Sequence, residues 1–166
     1  GGAEADLTIR QGFEPALKDD PANTCAGSAH ILLADGYADL PQRTIKPHVK
    51  RLLISLGGSD TPVLGAVLDA VLQALDGLPS LHGVDLDIRR ATPLAAGLPE
   101  TGLLDALRAA DLAILAAGTT LHEAAATGLA AIALPIAPNQ LERAEQFARL
   151  GLGVSLNPAA AGFASA

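Results

Sequence analysis

The stretch ADLAILAAGTTLHEAAATGLAAIALPIAPNQ, Ala110 to Gln140, decides how this chain folds. An apolar strand, Leu112–Ala116, runs into the turn Gly118-Thr119-Thr120 and a short helix that carries Glu123 and stops at Gly128. A second apolar strand, Ala130–Pro135, then ends in the polar turn Asn139-Gln140. Two apolar strands, each leading through a polar turn into a helix, place both turns at one edge of a parallel sheet. Open α/β sheets bind their ligands at that edge.

The same alternation extends outward. Arg51–Leu56 reads as a strand closed by Gly57-Gly58-Ser59-Asp60, with Thr61 as N-cap and Pro62 at the first helical position. Val63, Val67, Ala70, Val71 and Ala74 recur at helical spacing, and Gly77 ends the helix. Val84–Arg89 alternates apolar with charged residues. A central parallel strand is apolar on both faces, so this one belongs near an edge. Leu103–Ala110 predicts an amphipathic helix. Asn139 predicts the cap of a helix to about Leu150, with Glu142 completing a capping box. Gly151 and Gly153 stop that helix before a last short strand, Val154–Leu156. The predicted fold class is α/β, a Rossmann-like parallel sheet with helices on both faces.

Before Arg51 the pattern is weaker. Ala5–Arg10 predicts a short strand, Gly12–Ser28 a loop, and Pro41–Pro47 a polar connector after the apolar patch Ala29–Ala34.

Composition excludes several classes. Three Phe, one Tyr and no Trp leave the core to aliphatic residues and supply no stacking platform for single-stranded nucleic acid. A net charge of −7 argues against a phosphate-backbone footprint, so no nucleic-acid partner is expected. Cys25 is the single cysteine and permits no disulfide or thiolate cage within the chain. No apolar run approaches the roughly 18 residues of a membrane span, and no signal-like start is present, which makes a cytoplasmic location the expectation.

Three turns carry candidate chemistry. Gly57–Asp60 either lets backbone approach a phosphate or is simply a tight turn, and it is neither GxGxxG nor a Walker loop. At Gly118-Thr119-Thr120, amides and hydroxyls could hold a phosphate while Glu123 accepts bonds from ribose hydroxyls. Equally, Thr120-x-x-Glu123 is itself a capping box. Asn139 and Gln140 either open a helix or reach a sugar or phosphate. His122 beside Glu123 lacks the second histidine of HExxH, since position 126 is Ala, so neither metal nor cofactor is expected. His30, His48 and His82 read as surface residues.

Taken in order, the GGSD turn, ADLAI…GTTLHE…GL and the strand ending in NQ resemble the nucleotide-sugar half of GT-B enzymes. The nearest likeness is to the UDP-sugar hydrolases of pseudaminic-acid synthesis and their spore-coat-polysaccharide relatives. The lipid-II-forming N-acetylglucosaminyltransferases are more distantly similar. Ala29–Leu40 is similar to the family's interdomain stretch, in which Tyr-x-x-Leu follows an apolar strand.

The resemblance implies a UDP-sugar ligand, with Gly57, Gly58, Ser59, Asp60, Gly118, Thr119 and Thr120 near the diphosphate. It places Glu123 by the ribose, and Asn139 and Gln140 by phosphate or sugar. It divides the chain into 1–47, a remnant of an N-terminal half plus connector, and 48–166, the binding domain. The family's catalytic histidine belongs to that N-terminal half, so no catalytic residue is assigned and this chain alone is expected to be inactive. A transferase donor domain and a non-catalytic Rossmann-like module are the alternatives. Two features depart from the family pattern. Residues 90–102 replace a helix and a strand, and the final crossing helix is missing or vestigial.

Overall fold

The computed structural model describes residues 6–57, 62–89 and 101–160. Its main sheet has five strands, all parallel: β3 (Arg51–Ser55), β4 (Asp85–Arg89), β5 (Leu112–Ala116), β6 (Ala131–Leu134) and β7 (Gly153–Ser155). They lie in the order β4-β3-β5-β6-β7 and alternate with α1 (Pro62–Asp76), α2 (Thr101–Ala109), α3 (Thr120–Ala126) and α4 (Leu141–Arg149). The chain steps from β3 to β4 on one side, then crosses back to β5 on the other. Sequence and structure therefore agree on the fold class, a Rossmann-like parallel sheet, here in a doubly wound order whose direction reverses between β3 and β5.

Strand alternation divides the core into two layers. Leu53, Ala113, Leu115, Ala131 and Ala133 pack under α2, α3 and α4 with Leu107, Leu121, Ala124, Ala144 and Phe147. On the other face, Leu52, Ile54, Ile114 and Leu134 pack under α1 with Leu68 and Val71. Alanines on the first face let three helices approach closely, and the larger aliphatics on the second fill the space beneath one helix. β4 is an edge strand, as its charge alternation requires. Asp85 pairs with Arg51 at 3.2 Å, while Leu86 and Ile88 stay exposed.

The region before β3 departs from expectation. β1 (Thr8–Arg10) pairs in parallel with β2 (Thr24–Ala26), inside the stretch that reads as loop. Polar composition hid β2, because a strand of three residues has too little length for a periodic signal. Ala29–Ala34 forms no strand. It begins in a single 3-10 turn, Ser28–His30, and Leu32 points outward. Phe13, read as loop, is buried in the first core layer. The Thr61 cap and the residue 90–100 segment lie outside the described residues.

α4 also begins differently. Pro138 starts a 3-10 turn, Pro138–Gln140, one residue before the expected cap, so Gln140 occupies the cap position of α4 without a side-chain capping bond. Asn139 sits exposed inside that turn, and the Glu142 carboxylate accepts from Gln146 Nε2 at 3.1 Å instead of closing a capping box.

Gly153 is fixed by close approach. A Cβ there would stand 1.9 Å from the Ala131 carbonyl oxygen and 2.6 Å from the Phe147 ring. Neither backbone nor a fully buried ring can retreat. Gly153→Ala is therefore expected to cost about 2–3 kcal/mol by overpacking, read as a lower denaturation midpoint in urea. An unchanged midpoint would refute this packing of β7 on α4.

Candidate functional site

In parallel register the C-terminal ends of β3, β5 and β6 stand side by side, spaced by about 5 Å per strand. The reversal between β3 and β5 splays the chain connections there, and a crevice at such a switch point is the usual ligand site of open α/β sheets. Gly57 leaves β3 at this point with φ +107°, a conformation that L side chains avoid, and open space surrounds its missing Cβ. Gly58, Ser59 and Asp60 lie outside the described residues.

The turn after β5 presents Gly118, Thr119 and Thr120. Ala117 still donates to the Leu134 carbonyl at 2.9 Å, the last rung between β5 and β6. Beyond it, the Gly118 and Thr119 amides meet no backbone acceptor among the described residues, and Thr120 is the first helical residue, whose amide has no intrahelical partner. The Gly118 carbonyl accepts from Leu121 at 3.3 Å and the Thr119 carbonyl from His122 at 2.9 Å and Glu123 at 3.4 Å. The Thr119 and Thr120 amides, opposed to those carbonyls across planar peptides, therefore point away from α3. Thr119 occupies the cap position of α3 without a side-chain capping bond, so the Thr120–Glu123 capping box does not form. Glu123 lies one turn into α3, half-buried.

The turn after β6 meets this one. A Cβ on Gly118 would be 4.0 Å from Gln140 Nε2, while Gln140 Oε1 accepts from the Ile136 amide at 3.0 Å. That bond fixes the carboxamide so that its amino group faces the Gly118 turn. Asn139 is exposed beside it and makes no side-chain hydrogen bond among the described residues. The structure thus gathers Gly57, Gly118, Thr119, Thr120, Glu123, Asn139 and Gln140 along one edge.

Sequence reasoning missed Arg143 and the state of His122. Arg143 reaches from the first turn of α4 to the Ala117 carbonyl at 3.0 Å, directly beneath Gly118, and to the Gln11 carbonyl at 3.3 Å. Burial pulls its pKa below the usual arginine range, with Glu142 opposing. Its position three residues after Gln140, on the same side of the helix start, is a signal that was readable in the sequence.

His122 is buried under the Phe13 ring, with ring centroids 4.6 Å apart in an edge-on arrangement, and neither ring nitrogen has a hydrogen-bond partner among the described residues. Burial, and secondarily the Arg143 charge, pushes its pKa down to about 4. The segment Gln11–Glu14 that covers it is held by Phe13 N donating to Gln146 Oε1 at 3.0 Å and by the Arg149–Glu14 ion pair. Among the described residues, no group of three or more His, Cys, Asp or Glu side chains could hold a metal, and no helix is long and apolar enough to cross a membrane.

No family model matches the chain, and no curated protein does. A solved structure, the glycotransferase of kitacinnamycin, is similar at 18% identity over 78% of this chain, with a TM-score of 0.47. The chain spans only 38% of that protein's length.

The His122 geometry makes stability depend on pH. Its folded pKa, about 4, lies below the ordinary 6.5, so the unfolded chain takes up the proton first as pH falls. The contribution is fully present above about 6.5 and is lost as pH drops toward 4, in total roughly 3 kcal/mol. Urea unfolding of the parent and of His122→Gln across this window should show the loss in the parent and a flatter profile in the variant. Parallel profiles would mean that another group titrates.

Proposed function

We propose that this chain is the nucleotide-sugar-binding half of a GT-B-type enzyme that cleaves or transfers from a UDP-sugar, with hydrolysis favoured by the motif likeness. The observation that carries the reading is the switch-point edge. There the outward amides of Thr119 and Thr120 adjoin the fixed amino group of Gln140 and the open Gly57 turn. Such donors suit a diphosphate, because oriented amides stabilise the charge that builds as UDP departs. The half-buried carboxylate of Glu123 is suited to the paired hydroxyls of a ribose, and the exposed Asn139 amide to a sugar or phosphate oxygen.

The remainder of the enzyme is a second domain in this proposal, and the β1–β2 pair supports it. Parallel sheets are normally covered on both faces, and an isolated two-stranded pair is marginal in water. Here Leu7 and Ile9 expose 56% and 42% of their surface, as expected for the margin of a sheet that another domain completes. Residues 1–47 then serve as remnant and connector, and 48–166 as the binding domain. The catalytic base belongs to the other domain, so the chain by itself should bind without turning over.

Titration calorimetry with UDP tests the reading. An edge exposed at Gly57, Thr119 and Asn139 leaves much of a ligand wet, so the expected dissociation constant is on the order of 0.1–1 mM. Glu123→Ala should weaken binding per folded molecule at least tenfold, through loss of charge-assisted hydrogen bonds of about 1.5–3 kcal/mol. Equal affinity in parent and variant would remove Glu123 from the site. Absence of UDP binding in the parent would remove the function.

A further inference from the structure

The opposite edge of the sheet holds a cavity of about 210 Å³, between the connector and the C-terminal ends of α2 and α3. Gln42, Arg43, Thr44, Lys46, Arg108 and Thr127 contribute to its wall. The chain carries a net charge of −7, yet three cations gather here. The carboxylate paired with them is Asp111, bound to Lys46 at 2.6 Å. Two positive charges are left over.

Those two are differently placed. Arg43 donates to the carbonyls of Thr127 at 3.0 Å, Ala110 at 2.7 Å and Leu107 at 2.5 Å, leaving two of its five N–H groups unspent. Its structural task is complete without them. Arg108 forms no hydrogen bond or ion pair among the described residues, although it stands close enough for its charge to oppose that of Arg43. Two guanidinium groups drawn to one cavity repel unless an anion sits between them. Guanidinium forks match the tetrahedral oxygens of phosphate, and a dianion balances the surplus where a carboxylate would leave half of it.

We propose that this cavity is a binding site for a phosphate-type dianion, separate from the nucleotide edge, with Arg108, Arg43 and Lys46 as its cationic wall. Thr44 and Gln42 line the same space as neutral polar residues. The Thr127 hydroxyl is already spent on the Ala124 carbonyl at 2.9 Å and contributes shape only.

Calorimetric titration with inorganic phosphate, at ionic strength held constant with chloride, tests the site with and without UDP. One saturable phosphate should bind, with a dissociation constant on the order of 1 mM, and added UDP should leave it in place. Arg108→Gln should weaken phosphate about tenfold, with melting temperature and UDP affinity unchanged, and Arg108→Lys should recover part of the loss. Competition by UDP, or phosphate affinity indifferent to Arg108→Gln, would overturn the proposal, as would a parent chain that shows no saturable binding. The effect of Arg108→Gln on phosphate affinity is read whether or not UDP binds the other edge.

Discussion

The two-sided burial of β5 is the constraint on which the rest of the structure depends. Ala113 and Leu115 face the layer of three helices, Ile114 faces α1, and all are 5% exposed or less. A strand apolar on both faces has a low-energy position only inside a sheet covered on both sides. With β5 central, β3 and β6 become its neighbours, and the turn at Gly118 can emerge only at the reversal of strand order. The candidate site is a consequence of where Leu112–Ala116 must lie. Shifting that strand by one residue would exchange its two faces and put Ile114 where the helices need alanine-sized neighbours.

At the other end of β5, charge does what apolar packing cannot. Asp111 accepts from the amides of Lys50 and Arg51 at 2.9 and 3.0 Å and from Lys46 Nζ at 2.6 Å, which hold its carboxyl down at about pKa 2. One side chain thereby ties the start of β5 to the start of β3 and to the connector. Arg43 does the complementary work on carbonyls at the ends of α2 and α3, which have no helical donors left. Without these bonds the connector would have only sparse apolar contact, since Ile45 exposes 84% of its surface.

Much of this was legible in the sequence because long apolar runs leave few choices. Leu112–Ala116 is recovered to the residue, and the charge alternation of Asp85–Arg89 correctly sends that strand to the edge. What could not be read has local or long-range causes. Asn139 is displaced from the cap position of α4, which falls to Gln140, because the fixed φ of Pro138 begins a 3-10 turn a residue earlier. Phe13 and His122 lie 109 positions apart, and no periodicity announces a contact at that distance. The clearest misreading, Gly12–Ser28 as plain loop, joins both causes: a three-residue strand and an aromatic whose partners are distant.

That distant contact ties the N-terminal segment to the candidate site. Arg143 bonds the carbonyl beneath the Gly118 turn with one terminal nitrogen and the Gln11 carbonyl with the other. Phe13 seals His122, the residue immediately before Glu123, beneath the same segment. Moving Gln11–Glu14 away would therefore open a buried imidazole to water and free one arm of Arg143 in a single event. Hydrophobic cover and the arginine bridge together link the seating of the N-terminal segment to the carbonyl beneath the Gly118 turn. In an enzyme assembled from two domains, β1 and β2 would carry this linkage, because Gln11–Glu14 connects that strand pair directly to α3 and α4.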